Sequence, residues 1–246
     1  MSENGMMRRL QAWFRPMDLT EGTCWRTILR FAFPIVLSYL LQQIYSISDA
    51  AIVGQTLTVQ EVAGVNDTAT LIFIFLQFAF GVSAGFCVIT SRNVGARDAA
   101  GVRRSLATQL VLSAAFTVLL TVVALAALNP MLAWIHVTPA NGEVYTAAHT
   151  YCQIIFAGIG AQLFYNFICS FLRSMGDSVT PLLFLLFSTA LNVALDLIFI
   201  LVFRWGVAGA AIATVLAQLI STVACFIYAF SKYKEIRLHR EDFQIT

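Results

Sequence analysis

The chain has 246 residues, of which 59% are hydrophobic and only 11% charged, and its mean hydropathy is +0.79. A soluble domain is nearer a quarter charged, so this composition excludes an ordinary water-soluble globule and predicts an all-α polytopic membrane protein. The net charge of +2 provides no basic footprint for a nucleic acid.

In chain order, the opening stretch MSENGMMRRLQAWFRPMD is basic and mildly amphipathic. It has no short apolar core with a small-residue cleavage site, so no cleaved leader is expected. Residues 6–15 either lie on the membrane surface, with Arg8, Arg9 and Arg15 beside headgroups, or form a mobile tail. Apolar runs able to cross about 30 Å of hydrocarbon fall at 28–53, 68–90, 105–128, 146–172, 180–203 and 206–230. They are continuous, not alternating ten-residue segments, which predicts helices instead of a barrel. The expected division is an N-terminal segment 1–25, a six-helix lobe 26–231 and a basic tail 232–246.

Basic residues set the direction of the spans. Arg8, Arg9, Arg15, Arg26 and Arg30 precede the first span, and Arg92, Arg97, Arg103 and Arg104 separate the second from the third. Arg173 ends the fourth span, and Lys232, Lys234, Arg237 and Arg240 follow the sixth. The opposite connections, 54–67, 129–145 and 204–205, hold only Arg204. Both termini are therefore expected in the cytoplasm, with the chain multi-pass in the cell membrane. The short link after span five predicts a tight antiparallel hairpin with span six, whose GVAGAAIAT start lets backbones approach closely. Gly81 and Gly85 are expected to pack in the same way.

Catalytic signatures are absent. Cys24, Cys87, Cys152, Cys169 and Cys225 are scattered, form no close pair of the CxxC kind and read as small packing residues. His136, His149 and His239 show no metal-ligand spacing, and neither a phosphate loop nor a GxSxG elbow occurs. No enzyme and no cofactor is expected. Asn66-Asp67-Thr68 matches a glycosylation sequon and reads as a chance match.

Polar residues inside the spans carry the chemistry, because a charged side chain at the bilayer centre costs about 2.5–3.5 kcal/mol on insertion scales. Asn192 and Asp196 are one helical turn apart in span five and share a face. Gln42, Tyr45 and Asp49 form a polar stripe on span one. At 1.5 Å per residue, Asn192 lies about 18 Å and Asp196 about 24 Å from the inner face, with Thr214 at about 18 Å. Asp49 lies about 30 Å along span one, lower with tilt or a bend after Pro34. Two carboxylates, an amide oxygen and a hydroxyl suit a hard cation such as Na⁺, and equally suit proton exchange. The plainer alternative is that both carboxylates are satisfied by hydrogen bonds and serve helix packing.

The segments PIVLSYLLQQIYSISDAAIVG (34–54), NVGARD (93–98), RSMGDSVTP (173–181), NVALD (192–196) and GVAGAAIATVLAQ (206–218) resemble, in order and spacing, the amino-terminal half of the multidrug and toxic compound extrusion family. The resemblance covers about 26–231 and implies one lobe of a two-lobe, twelve-helix antiporter driven by Na⁺ or H⁺, exporting amphipathic, cationic organic compounds. It implies a cation site at Asp49, Asn192, Asp196 and Thr214, which would be the metal ligands if the ion is Na⁺. It also implies cavity-lining roles for Gln42, Tyr45 and Asn166, and a bend of helix one at Pro34. Cys169 stands where some members carry a polar cavity residue. Partners implied are the lipid bilayer, small organic substrates, and either a second six-helix lobe or a second copy. Six spans against twelve predict a truncated product in preference to a paired half-transporter. The rival readings are a flippase for a lipid-linked precursor and a non-transporting fragment or assembly subunit.

Overall fold

The computed structural model describes residues 17–19 and 22–233. The surface segment 6–15 and the tail beyond Tyr233, with Arg8, Arg9, Arg15, Lys234, Arg237, His239 and Arg240, lie outside the described residues. Every regular element among the described residues is helical: α1 Cys24–Thr56, α2 Val59–Gly95, α3 Ala99–Ala126, α4 Leu128–Trp134, α5 Glu143–Ala157, α6 Ile159–Ser174, α7 Val179–Asp196 and α8 Gly206–Lys232. A 3₁₀ turn at Pro139–Asn141 precedes α5, and a π-helical turn at Leu197–Val202 continues α7. Among the described residues five helices, α7 taken with its π-helical turn, are long and apolar enough to cross a membrane, and α5 with α6, bent by 46°, adds a sixth when the pair is taken as one span.

Local chemistry explains the boundaries. Thr58 and Glu61 form a reciprocal capping box that starts α2 with only two residues between it and the end of α1. Asp98 accepts from Gly101 N–H at 2.9 Å to start α3. Asp177 accepts from Thr180 N–H at 3.0 Å and from its hydroxyl at 2.7 Å to start α7. The same carboxylate accepts from Lys232 Nζ at 2.7 Å and from Tyr233 OH at 3.1 Å, tying the end of α8 to the α6–α7 turn. Burial and that carboxylate hold the Tyr233 phenol above its ordinary pKa. Met17 N–H donates to Gly176 O on the same turn, where Gly176 has φ +82°.

Span four differs from the expected continuous run over 146–172. It breaks at Gly158, where a Cβ would lie 2.5 Å from both Cγ atoms of Val215. Gly160 likewise presses on Thr117 Cγ2, which a Cβ would meet at 2.7 Å. The segment expected as a plain connection at 129–145 holds most of α4 and the 3₁₀ turn. Gly209 packs as expected, since its Cβ would lie 3.2 Å from the Phe199 backbone. Gly81 and Gly85 do not: nothing lies within 4 Å of a Cβ at either position. Gly64 makes a close approach instead, with its backbone against Val144 and Ala147 of α5. The sequon lies inside α2 with Thr68 fully buried.

The core is built around α6, whose Leu163, Phe167, Ile168, Phe171 and Leu172 are buried against α2, α3 and α8. Cys87, Cys152, Cys169 and Cys225 are buried, whereas Cys24 is exposed. Helix α1 is the least embedded: only Pro34, Ser38 and Val53 of its 33 residues are buried, and it rests mainly on α7.

Candidate cation site and cavity

Asn192 and Asp196 lie on the buried face of α7, exposed by 1% and 0%. Asn192 Nδ2 donates to Thr214 Oγ1 of α8 at 3.4 Å. Close approach of Gly209 to Phe199 brings the two helices together at this level. Tyr45 of α1 reaches Thr214, and the Asp49 carboxylate lies beside that of Asp196. The structure thus brings the four residues read as a cation site into one cluster joining α1, α7 and α8.

Asp49 Oδ1, Asn192 Oδ1 and both carboxylate oxygens of Asp196 are buried without a hydrogen-bond partner. Buried acceptors are normally paired, and four orphans together call for a proton or a cation. Gln109 shows what a satisfied polar group in this bundle looks like. Its Nε2 donates to Phe86 O and Thr90 Oγ1, each at 2.7 Å, and Thr90 in turn contacts Ser105 at 3.0 Å. Among the described residues no three His, Cys, Asp or Glu side chains come together. The donor set is two carboxylates with neutral oxygens, the chemistry of a site for a hard cation or a proton.

The backbone changes character at the same place. Helix α7 passes at Asp196 directly into the π-helical turn Leu197–Val202, closed by Phe203 N–H to Ile198 O at 3.0 Å. Such π segments are rare and concentrate at functional sites.

A chamber of about 160 Å³ is lined by Tyr45, Asp49, Tyr151, Gln162, Thr214 and Gln218. Asn192 and Asp196 are not among its walls. A larger cavity of about 500 Å³ shares Tyr45, Gln162, Thr214 and Gln218 with it and is also lined by Gln42, Asn166 and Cys169. Pro34 is buried inside an unbroken α1, where Ser38 Oγ donates to its carbonyl at 2.8 Å. Ser46, Ser48 and Thr56 bond back to the carbonyls of Gln42, Ile44 and Ile52, a pattern that loosens and bends helices.

Sequence reasoning missed Tyr151, Gln162 and Gln218. Gln218 follows Thr214 by four residues, and Gln162 precedes Asn166 by four, so the one-face rule applied to Asn192 and Asp196 would have found both. No comparable signal marks Tyr151 or the π turn.

Residues 34–198 match the family model MatE. The chain is 33% identical over 207 residues to the probable multidrug resistance protein YpnP of Bacillus subtilis, covering 82% of this chain and 44% of that protein. It is 30% identical over 231 residues to the probable multidrug resistance protein YoeA of the same organism, covering 92% and 48%. Among solved structures it resembles a transporter of the MOP superfamily from Pyrococcus furiosus, with a TM-score of 0.83 at 26% identity over 93% of this chain and 50% of that one. The chain therefore spans about half the length of the relatives it matches. It belongs to the MatE family, the multidrug and toxic compound extrusion transporters, and has the fold of their amino-terminal lobe.

Proposed function

We propose that this chain is the cation-coupled lobe of a membrane exporter for amphipathic organic compounds. Asp49, Asn192, Asp196 and Thr214 form the coupling site, occupied by Na⁺ or H⁺. The observation that carries this reading is the group of four unpartnered buried acceptor oxygens on Asp49, Asn192 and Asp196. A cation placed among them replaces the missing partners and draws α1 onto α7 through Asp49. Helix α1 is the element suited to respond, with few buried residues, Pro34 in its interior and several back-bonded hydroxyls.

Its movement reshapes the wall carrying Gln42 and Tyr45, opposite Asn166, and so alters the cavity's hold on the transported compound. A cation shifts the equilibrium between two access states only by its difference in affinity for them, a tenfold difference supplying about 1.4 kcal/mol. The basic residues at one end of the bundle favour cytoplasmic termini in the plasma membrane, with ions entering the site from the opposite side. The resemblance implies cationic compounds as the substrate class. A second six-helix lobe or a second copy of the chain completes the transport pathway. The flippase reading is less favoured, because the described residues give the larger cavity a single basic side chain, Arg173, and no basic cluster.

Proteoliposomes containing the chain, with and without a co-expressed second lobe, test this through ion-driven dye efflux. Asp49→Asn and Asp196→Asn are each expected to remove the ion dependence. Normal ion-driven efflux in both variants refutes the mechanism.

A further inference from the structure

The larger cavity has polarity at its other end that the coupling site does not use. Arg173, on the last turn of α6, lines both this cavity and a vestibule of about 600 Å³ at the basic end of the bundle. Its Nε is buried and has no hydrogen-bond partner. Among the described residues, the acids around it are engaged elsewhere. Asp177, four residues on, accepts from Thr180, Lys232 and Tyr233, and Asp18 on the vestibule wall pairs with Arg97 at 3.5 Å. Among the described residues no Asp or Glu lines the larger cavity, so the one formal charge they place on its walls is positive.

Two turns back on the same face of α6, Tyr165 lines the same cavity at 6% exposure, and its buried hydroxyl has only the Cys169 thiol beside it, with no oxygen or nitrogen partner. A guanidinium fork and a phenol hydroxyl are both donors. Facing a cavity otherwise walled by amides, hydroxyls and apolar groups, they lack only an acceptor with negative charge.

We propose that Arg173, assisted by Tyr165, is an anion-binding position for the carboxylate or phosphate group of an amphipathic molecule, either a transported solute or a lipid. The proposal rests on reading this cavity as the place where the transported compound sits. It modifies the expected substrate class: a purely cationic compound meets like charge at Arg173. A zwitterion can place its cationic end toward Asp49 and its anionic end at the guanidinium. Arg173 acts at the basic end of the cavity while Asp49 lines the smaller adjoining chamber, so one amphipathic molecule can address both.

The test is dye binding to the purified full chain in neutral detergent, comparing dansylglycine, which carries a carboxylate, with its neutral amide. A charge-assisted hydrogen bond predicts that dansylglycine binds at least about tenfold more tightly. Arg173→Gln is expected to abolish that preference while leaving the amide's affinity within about twofold, and Arg173→Lys to keep part of it. That result assigns the anion to a solute. If the two dyes bind alike but dihexanoylphosphatidylglycerol displaces them at least tenfold better than dihexanoylglycerol in an Arg173-dependent way, the anion is a headgroup phosphate. If wild-type protein discriminates within neither pair, the proposal is overturned, whatever the variants' folding. The assay uses no ion gradient, so this proposal and the coupling mechanism fail separately.

Discussion

Replacing Lys232 with Met removes one partner of a buried ion pair and leaves the other in place. The Asp177 side chain is 2% exposed and that of Lys232 23%, with Nζ and Oδ2 2.7 Å apart. Breaking a buried pair by deleting one partner costs about 3–5 kcal/mol. Asp177 retains three donors, Thr180 N–H, Thr180 OH and Tyr233 OH, which places Lys232→Met at the low end, about 3 kcal/mol. At about 2–4 °C per kcal/mol for a chain of this size, the apparent Tm falls by about 6–12 °C. Removing the stranded charge as well, in Asp177→Asn/Lys232→Met, leaves only lost hydrogen bonding, about 1 kcal/mol, so the double variant is more stable than the single one. Scanning fluorimetry of the three proteins in one detergent reads the comparison. A Lys232→Met protein that melts within about 2 °C of wild type, or a double variant no more stable than the single, refutes the view that Asp177 fastens α8 to the α6–α7 turn.

Gly158→Ala is expected to cost about 1–3 kcal/mol through overpacking against Val215, with recovery in Gly158→Ala/Val215→Ala. Gly85→Ala meets nothing within 4 Å and is expected to be neutral or to stabilise by up to about 1 kcal/mol; thermal unfolding distinguishes the two sites. A maleimide is expected to label Cys24 rapidly in the folded protein and the four buried cysteines far more slowly. Mass mapping that finds Cys87 or Cys152 labelled as fast as Cys24 refutes the packing described.

The spans were legible because about 30 Å of hydrocarbon demands long apolar helices and few sequences supply them by chance. The cluster on α7 was legible because Asn192 and Asp196 obey the one-turn rule in a segment where polar atoms are costly. What remained hidden depends on contacts between helices. A glycine pair such as Gly81 and Gly85 reads like Gly206 and Gly209, but only the neighbouring backbone decides whether its small size is used. At the break in span four, only a residue without a Cβ fits at Gly158, because Val215 occupies that space. The π turn after Asp196 is a change of hydrogen-bond register within the apolar run LIFILV, and residue type gives no sign of it. Arg173 reads as an ordinary charge at the end of a span. Its importance comes from the commitment of Asp177 and Asp18 to other partners.

The most direct test of the coupling site is an ion-induced infrared difference spectrum of the purified chain in the carboxylic-acid C=O region, recorded on a step in pH or Na⁺ concentration. Wild type is predicted to show a buried-carboxyl band that responds to the ion, and Asp49→Asn and Asp196→Asn are each predicted to abolish or shift it. A response unchanged in both variants would contradict the assignment of Asp49, Asn192, Asp196 and Thr214 as one cation-binding site.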